Sequence, residues 1–288
     1  MKKFLAIALA AVMLFALAAC GGNTDNNGDE PAADVVKVID INLTEEEYAF
    51  GVDKAQPELL EKTNEFIAKI MEDGTFEAIC NNYFGDGTPV AVKSAVEDPS
   101  KDQLIVATNA AFAPFEYMEG DSYYGIDMEI AALLAEELGK ELVVQNMKFE
   151  SVCLSVGQHK CDIAMAGLTV KEERMEHVNF SDSYYVASQK IIVPAADTTF
   201  DACADAAAVE EILKGFDATT KIGYQNGTTA QFYVLGDAEW DFDGFAVEGK
   251  GYDNGALAVQ DLINGNINYV IIDAAPATMI AANFNALS

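Results

Sequence analysis

The sequence predicts an α/β fold built from mostly parallel sheets flanked by helices. From residue 104 onward, short apolar runs that suit buried strands alternate with stretches in which apolar residues recur at the helical period. This alternation is typical of α/β layers, in which helices connect successive parallel strands. The chain has 288 residues, of which 51% are hydrophobic, so it is long enough to form two lobes or domains with buried cores.

The composition excludes several classes of function. The sequence holds 17 basic and 47 acidic residues, a formal net charge of −30, whereas a nucleic-acid-binding protein needs a basic face for the phosphates. The two histidines, His159 and His177, stand in no motif of a zinc site or of a histidine-dependent catalyst. We therefore expect no nucleic-acid partner, no metal and no cofactor.

The first residues predict a secretory signal. A basic pair, Lys2-Lys3, precedes the apolar run Phe4–Ala19, which is short for a membrane span. Its end, Leu17-Ala-Ala-Cys20-Gly-Gly, resembles the lipobox of bacterial lipoproteins, which implies cleavage after residue 19 and a lipid on Cys20. Residues 20–34 then form a flexible tether, and the protein is held at the outer face of the bacterial cell membrane. An uncleaved anchor and an ordinary signal peptide are the alternatives.

The remaining cysteines are expected to be buried free thiols. Export permits disulfides, but the spacing matches no metal signature and does not determine a pairing. These residues are Cys80, Cys153, Cys161 and Cys203.

The segment before residue 104 carries its own strands and helices. Val35–Ile39 alternates as a strand, and Tyr48–Val52 suggests a second extended piece. Pro57 opens a helix that runs to Met71, and a shorter helix follows. Residues 86–102 carry no sustained period and are typical of a linker.

The block from residue 104 repeats strand and helix. Its predicted strands are 104–108, 142–147, 163–165, 190–193, 221–224 and 268–272, and its main predicted helices are 127–138, 150–157, 256–263 and 274 to about 283. Ligands of such sheets bind beyond the carboxyl ends of the strands. Asn109, Ala166-Gly167, Gln225 and Asp273 stand at such ends.

One stretch predicts a site for a carboxylate. Thr169-Val-Lys-Glu172 has the pattern of a capping box that starts a helix, and Arg174 follows within the first turn. Free N–H groups of a first turn and the planar donors of an arginine suit a carboxylate. The alternative is a capped helix that carries a surface arginine.

Several motifs recur together in one known family. They are Ala107-Thr-Asn-Ala-Ala-Phe112-Ala-Pro-Phe115-Glu116, Gly125-Ile-Asp127, Ala164 to Arg174, Asn179-Phe-Ser-Asp-Ser-Tyr-Tyr185, Gln225-Asn-Gly-Thr-Thr229 and Val270-Ile-Ile-Asp273. In this order they resemble the extracellular amino-acid-binding proteins of ABC transporters. The resemblance implies a type II periplasmic-binding-protein fold with two lobes and a two-strand hinge. It also implies a protein that is not an enzyme, that captures a free amino acid and that delivers it to the permease subunits of an importer.

One departure from the family pattern implies a circular permutation. The elements that normally end the family's chain stand at the front here, as Thr44-Glu-Glu-Glu-Tyr48 and the two helices before Gly85. The resemblance then implies a larger lobe of residues 50–192 and a smaller lobe of residues 35–49 and 193–288. Residues 86–102 would join the ancestral termini. The alternative is that residues 35–85 are an unrelated helical prefix.

The resemblance also implies the roles of the site residues. Arg174 would pair with the α-carboxylate, helped by Thr169 and by an amide of Thr228 or Thr229. Asp273 would take the α-ammonium, with the carbonyl of Ala166 or Gly167 as a second acceptor. The residues that would sandwich the ligand are Phe112 and Phe149.

Ligand choice is expected to depend on Asn109 and Gln225, which face the ligand's side chain in this alignment of motifs. Both are uncharged, and an unmatched buried charge is costly, so the sequence predicts a neutral polar amino acid. Two other functions remain open. One is an enzyme similar to cyclohexadienyl dehydratase, and the other is a ligand-sensing module that signals through a membrane receptor.

Overall fold

A computed structural model describes residues 33–288, so the predicted signal peptide, Cys20 and most of the tether lie outside the described residues. No helix within residues 33–288 is both long and apolar enough to cross a membrane. The helices are α1 (Pro57–Glu72), α2 (Thr75–Phe84), α3 (Ile126–Glu137), α4 (Val152–Gly157), α5 (Glu172–Met175), α6 (Ala206–Lys214), α7 (Thr229–Leu235), α8 (Gly255–Ile263) and α9 (Ala274–Ala286).

The larger lobe is built on a five-stranded sheet whose strands are apolar on both faces. In spatial order they are β10 (Val178–Phe180), β3 (Gly51–Asp53), β9 (Ile163–Ala164), β4 (Gln103–Thr108) and β8 (Glu141–Asn146). β4 pairs in parallel with β8 and β9, and β3 lies antiparallel between β9 and β10. A strand from residues 35–85, which we call the front segment, therefore lies inside this sheet.

The smaller lobe repeats the arrangement. In spatial order its strands are β1 (Val36–Val38), β12 (Gln189–Pro194), β15 (Tyr269–Asp273), β13 (Lys221–Gln225) and β14 (Glu248–Tyr252). β13 pairs in parallel with β14 and β15, whereas β12 is antiparallel to both β15 and β1. The front segment thus supplies one strand to each lobe.

Both sheets are mixed, since in each of them one strand, β3 or β12, runs opposite to the other four. Strands β3 and β12 enter their lobes from the other lobe, so they run opposite to the strands that start within each lobe. The chain crosses between the lobes at two extended segments, β2 (Glu46–Tyr48) and β11 (Tyr185–Ala187), which pair antiparallel. The sequence also did not predict a small antiparallel sheet of β5 (Ala111–Phe112), β6 (Glu116–Glu119) and β7 (Ser122–Tyr124).

Residues of the front segment are part of the core. Helix α1 buries Leu59, Phe66, Ile67 and Ile70 on one face, as its apolar spacing predicts, whereas Met71 at the end of that face is 39% exposed. Burial of each such side chain stabilises the fold by about 1.5–3 kcal/mol. This segment is therefore not an appendage to the fold.

The predicted linker lies along the larger lobe. In residues 86–102, Val92 forms the only bridge to a strand partner that the described structure shows, with Tyr123. The amide of Val90 donates to Glu129, and the hydroxyl of Ser94 accepts from the amide of Val144. The four remaining cysteines are free, but only Cys153 and Cys161 are buried.

The last helix is hydrogen-bonded to the first strand by one side chain. Asn285 Oδ1 accepts from the amides of Val35 and Val36 at 3.0 and 3.2 Å, and its Nδ2 donates to the Val36 carbonyl at 3.0 Å. Asn285→Ala is expected to lower the free energy of unfolding by about 1–3 kcal/mol, because partly buried backbone groups lose their partner. Urea denaturation measures this change.

Asn283 offers a matched control in the same helix, since its side chain is exposed. Asn283→Ala should change the free energy of unfolding by no more than about 0.5 kcal/mol. Equal losses for the two variants would show that helix propensity, and not the contact with β1, causes the effect.

Candidate functional site

A small cavity lies between the two lobes, with a free volume of about 10 Å³, roughly that of one water molecule. Its walls are formed by Phe112, Phe149, Gly167, Thr169, Arg174, Gln225, Thr228, Thr229 and Asp273. The structure therefore brings together nine of the eleven residues singled out from the sequence. The other two lie just behind them: Ala166 is buried next to Gly167, and Asn109 Oδ1 accepts a 3.0 Å hydrogen bond from Gln225 Nε2.

Arg174 is the only arginine in the sequence, and it is buried. Its Nη1 donates to the carbonyl of Thr169 at 2.7 Å, and its Nη2 donates across the cleft to the carbonyl of Gly227 at 2.9 Å. The guanidinium also lies over the Phe149 ring, 5.2 Å from the centroid. A planar fork of five N–H donors is thus held rigidly at the cavity wall.

The predicted capping box is wrong. Helix α5 begins only at Glu172, after Lys171 in an extended conformation, and Thr169 does not cap it. Thr169 is held extended by its bridge to Tyr48, and its hydroxyl donates to Glu46 at 2.7 Å. The same hydroxyl accepts from Thr229 of the other lobe at 3.1 Å. Because the strand from the front segment fixes the backbone here, Thr169 presents its side chain to the cleft instead.

Gly167 lets the backbone approach the cavity. Its φ is +53°, and a Cβ built there would lie 3.1 Å from the Phe112 ring and 3.2 Å from the Tyr48 ring. Its amide donates to Asp127 at 2.9 Å. A left-handed conformation beside two aromatic rings favours glycine at this position.

Asp273 ends strand β15 on the opposite side of the cavity from Arg174. It is buried and accepts a 2.5 Å hydrogen bond from the hydroxyl of Tyr48. Burial, followed by the nearby charge of Glu46, raises the pKa of Asp273 to about 7. The carboxyl therefore gains or loses its proton near neutral pH, and a cation placed beside it would favour the ionised form.

Among the described residues, buried oxygen atoms without a hydrogen-bond partner occur in the cavity wall and also outside it. Gln225 Oε1 is buried without a donor in the cavity wall, and both carboxyl oxygens of the fully buried Glu116 have none. Burial, then the charges of Asp127 and Asp273, raise the pKa of Glu116 well above its usual value. Gln225 Oε1 is therefore an acceptor in the cavity wall that a ligand with an N–H group could satisfy, whereas Glu116 does not line the cavity.

The family of bacterial extracellular solute-binding proteins, family 3, matches residues 104–267, which is more than half of the chain. The chain belongs to this family. The front segment that supplies β1, β2 and β3 lies outside the matched residues.

Several curated relatives of this family member are similar over part of their length. The arginine-binding extracellular protein ArtP of Bacillus subtilis (strain 168) is 40% identical over 95 residues, which is 33% of this chain and 37% of ArtP. The ABC transporter arginine-binding protein 1 of Escherichia coli (strain K12) is 29% identical over 60% of this chain and 64% of its own length. The probable histidine-binding protein of Neisseria gonorrhoeae is 26% identical over 66% of this chain and 65% of its own length. The chain thus spans between 37% and 65% of these relatives.

Solved structures of the same fold are similar over a comparable share. An ancestral arginine-binding protein bound to arginine is 30% identical with a TM-score of 0.54, covering 65% of this chain and 76% of that one. An ancestral arginine-binding protein bound to glutamine is also 30% identical with a TM-score of 0.54, covering 64% of this chain and 74% of that one. The two-lobe periplasmic-binding-protein fold with two mixed sheets is therefore shown for this family member.

Sequence patterns missed three residues that shape the site of this solute-binding protein. Tyr48 holds Asp273, Glu46 holds Thr169, and Lys171 reaches the smaller lobe. Tyr48 and Glu46 stand more than 120 residues from their partners, so no local pattern connects them. The only signal was the Glu-Glu-Tyr motif of the front segment, which matches the family's closing motif.

Proposed function

We propose that this protein is an extracellular solute-binding protein that captures an α-amino acid by closing its lobes and delivers it to an ABC importer. The observation that carries the proposal is the pair Arg174 and Asp273. A buried guanidinium on the larger lobe and a buried carboxyl on the smaller lobe line the same small cavity. An α-amino acid carries the two complementary charges on one carbon. A site with one charge of each sign suits it better than it suits a simple acid or amine.

The α-carboxylate is assigned to Arg174, whose planar guanidinium can donate two parallel hydrogen bonds to it. We assign to a backbone amide of Thr228 or Thr229 a further hydrogen bond to the carboxylate from the smaller lobe, and the hydroxyl of Thr169 would add one from the larger lobe only by giving up its bond to Glu46. The α-ammonium is assigned to Asp273, with the carbonyl of Ala166 or Gly167 as second acceptor. Because the partners come from both lobes, the ligand stabilises the closed arrangement.

The pKa of Asp273 predicts how affinity depends on pH. An ammonium group favours the ionised carboxyl, so ligand binding lowers the pKa from its ligand-free value of about 7 and releases a proton below that pH. The dissociation constant should be constant just above pH 7 and rise by about tenfold per pH unit below it. Calorimetry at pH 5.5 to 8, in buffers of different ionisation enthalpy, measures both the affinity and the released proton. A flat profile with no proton release would contradict the role of Asp273.

The raised pKa of Asp273 makes the stability of the ligand-free protein depend on pH in the opposite direction to the ligand affinity. The pKa of Asp273 is raised in the folded state, so its contribution to stability is complete below the unfolded value of 3.8 and is lost as the pH rises through about 7. The ligand-free melting temperature should therefore fall as the pH rises from about 4 to about 7, while the affinity improves up to about pH 7.

We propose a neutral polar amino acid with N–H donors in its side chain as the ligand. Phe112 and Phe149 would enclose the ligand, and Gln225 Oε1 offers a buried acceptor without a donor. The relatives are named for arginine, histidine and cystine, and the ancestral structures hold arginine or glutamine. Asn109 and Gln225 supply no charge for a guanidinium, which favours a glutamine-like side chain over arginine.

A thermal-shift screen against the twenty amino acids tests the function and the ligand class together. A bound ligand raises the melting temperature by mass action, by an amount equivalent to about 2.7 kcal/mol at a hundredfold excess over Kd. We expect the largest shift with a neutral amide side chain. A shift with arginine far above every neutral amino acid would contradict the ligand class, and no shift at all would contradict the function.

An enzymatic function is the second candidate, because a carboxyl with a pKa of about 7 could also transfer protons. A similarity that bears on this function is to an ancestral amino-acid-binding protein described as a precursor of cyclohexadienyl dehydratase, at 27% identity and a TM-score of 0.53. Turnover of a prephenate- or arogenate-like acid would favour this reading. Binding of amino acids without turnover favours the transport function.

We also infer that the chain is circularly permuted. The family match begins at residue 104, yet the front segment supplies the inner strand of the larger sheet and an edge strand of the smaller sheet. If residues 35–85 followed residue 288, α9 would lead directly into β1, to which Asn285 already binds. Residues 86–102, about 17 residues with a reach of roughly 50 Å, are long enough to join α2 to β4.

The lipid anchor is part of the same proposal. Cys20 would carry the lipid and hold the protein at the outer face of the cell membrane, near its importer. Cys20→Ser is expected to abolish incorporation of a labelled fatty acid, which metabolic labelling followed by immunoprecipitation measures. Equal labelling of this variant and the wild-type protein would contradict the anchor.

A further inference from the structure

A buried ion-pair cluster connects the two lobes outside the cavity. Lys171 Nζ lies 2.8 Å from Asp237 Oδ2 and 2.6 Å from Glu239 Oε2, and the three side chains are 4%, 9% and 28% exposed. The ammonium also lies 4.7 Å from the Phe232 ring centroid and 5.4 Å from that of Trp240. We call these five residues the Lys171 latch.

The latch spans the cleft. Lys171 lies between β9 and α5 of the larger lobe, whereas its four partners lie in α7 and the loop after it in the smaller lobe. The lobes cannot separate without pulling the ammonium away from both carboxylates. Burial alone would lower the pKa of Lys171, but its hydrogen bonds to Asp237 and Glu239 outweigh burial and raise it, so the ammonium stays charged.

The smaller lobe holds its half of the latch rigidly. The loop of residues 236–244 is narrow at its base. Gly236 and Gly244 have φ values of +99° and +80° there, and a Cβ on either residue would overlap backbone atoms on the other side of the loop. A bridge joins Asp237 to Phe242, and the Phe242 ring packs on Tyr233. Asp237 Oδ1 also accepts from the amide of Glu239, so both carboxylates are preorganised for Lys171.

We propose that the Lys171 latch is a positioning device that stabilises the closed arrangement and so sets ligand affinity and release without contacting the ligand. None of its residues lines the cavity. The inference rests on the proposed function, since affinity is the quantity that the latch adjusts. A contact made only in the closed state adds its free energy to ligand binding.

The latch is expected to stabilise the closed arrangement because its charged groups are buried there. Ion pairs at an exposed surface contribute little, but removing one member of a buried pair leaves the other charge without a partner. In the open arrangement, water solvates the same charges. Loss of Lys171 therefore penalises the closed arrangement specifically.

Two sets of variants test the latch from opposite lobes. Lys171→Met and the double variant Asp237→Asn/Glu239→Gln should each raise the dissociation constant of the best amino acid by about tenfold or more, equivalent to about 1.4 kcal/mol per tenfold. Lys171 precedes Arg174 closely, and its carbonyl accepts the Arg174 amide, so the double variant is needed to exclude a local disturbance of Arg174. The triple variant should be no weaker than the weaker parent, since both sets remove one interaction.

Lys148 offers a matched control. Its Nζ lies 2.9 Å from Asp253 of the other lobe, but these side chains are 67% and 56% exposed. Lys148→Met should change the affinity by less than about threefold. Trp240, the only tryptophan in the sequence, gives a direct readout: ligand should protect it from acrylamide quenching in the wild-type protein and in Lys148→Met, but less in Lys171→Met.

The latch is overturned if Lys171→Met and the double variant bind within threefold of Lys148→Met, or if the triple variant loses the sum of both effects. If the wild-type protein binds no amino acid, the proposed function fails separately. The latch is then judged by small-angle scattering without ligand, and an unchanged radius of gyration in the double variant overturns it.

Discussion

Replacing Arg174 with alanine is expected to weaken amino-acid binding by about a thousandfold, since truncating one partner of a buried charge pair costs about 2–5 kcal/mol. The variant removes the partner of the α-carboxylate and also leaves the carbonyls of Thr169 and Gly227 without their donors. Calorimetry with the best amino acid measures the loss. Arg174→Lys keeps the charge but not the planar fork, and it should recover only part of the affinity.

Because Arg174 is the only arginine in the sequence, an arginine-selective dicarbonyl reagent offers a second test on the unmodified protein. The bound amino acid should slow the modification, and complete modification should abolish binding. Normal binding by Arg174→Ala, or by the fully modified protein, would refute the carboxylate assignment. Thermal unfolding of each sample shows whether the fold is retained.

Removing residues 33–85 is expected to abolish cooperative folding. The deletion takes β3 from the middle of the larger sheet, β1 from the edge of the smaller sheet, and the buried face of α1. Lost burial at about 1.5–3 kcal/mol per large apolar side chain exceeds the typical net stability of about 5–15 kcal/mol. Circular dichroism during urea titration measures the outcome.

A rearranged chain separates a permutation from a simple requirement for these residues. Residues 103–288 followed directly by residues 33–85 restore the order of the family, and this chain should unfold cooperatively and bind the same amino acid within about threefold. An unfolded rearranged chain would contradict the permutation. Cooperative folding of the deletion variant would instead support an unrelated helical prefix.

Local sequence patterns predicted helices and strands correctly where a single local signal determines the conformation. The run Leu104–Thr108 forms β4 and Pro57 opens α1, because apolar period and a proline at the first turn are local signals. The capping box at Thr169 failed because Tyr48, more than a hundred residues away, holds that backbone extended. The one reversed strand in each sheet was not predicted for a similar reason, since its direction follows from the crossings between lobes.

Motifs in a fixed order singled out residues far apart in the sequence, and nine of them line one cavity, while their roles in binding stay predictions. The residues that lie behind the cavity wall could not be predicted from the sequence. Glu46 and Tyr48 act through contacts between distant segments, and the unpartnered Glu116 is visible only when burial is known. The raised pKa of Asp273 likewise depends on burial and on Glu46.

The clamp of Arg174 and Asp273 is tested most directly by calorimetry with one amino acid and two derivatives of it. The best amino acid from the thermal-shift screen should bind with a dissociation constant near micromolar, about −8 kcal/mol. Its methyl ester lacks the carboxylate and its N-acetyl form lacks the ammonium, so each should bind at least about a hundredfold more weakly. Binding of either derivative as tightly as the parent amino acid would contradict the two-charge clamp.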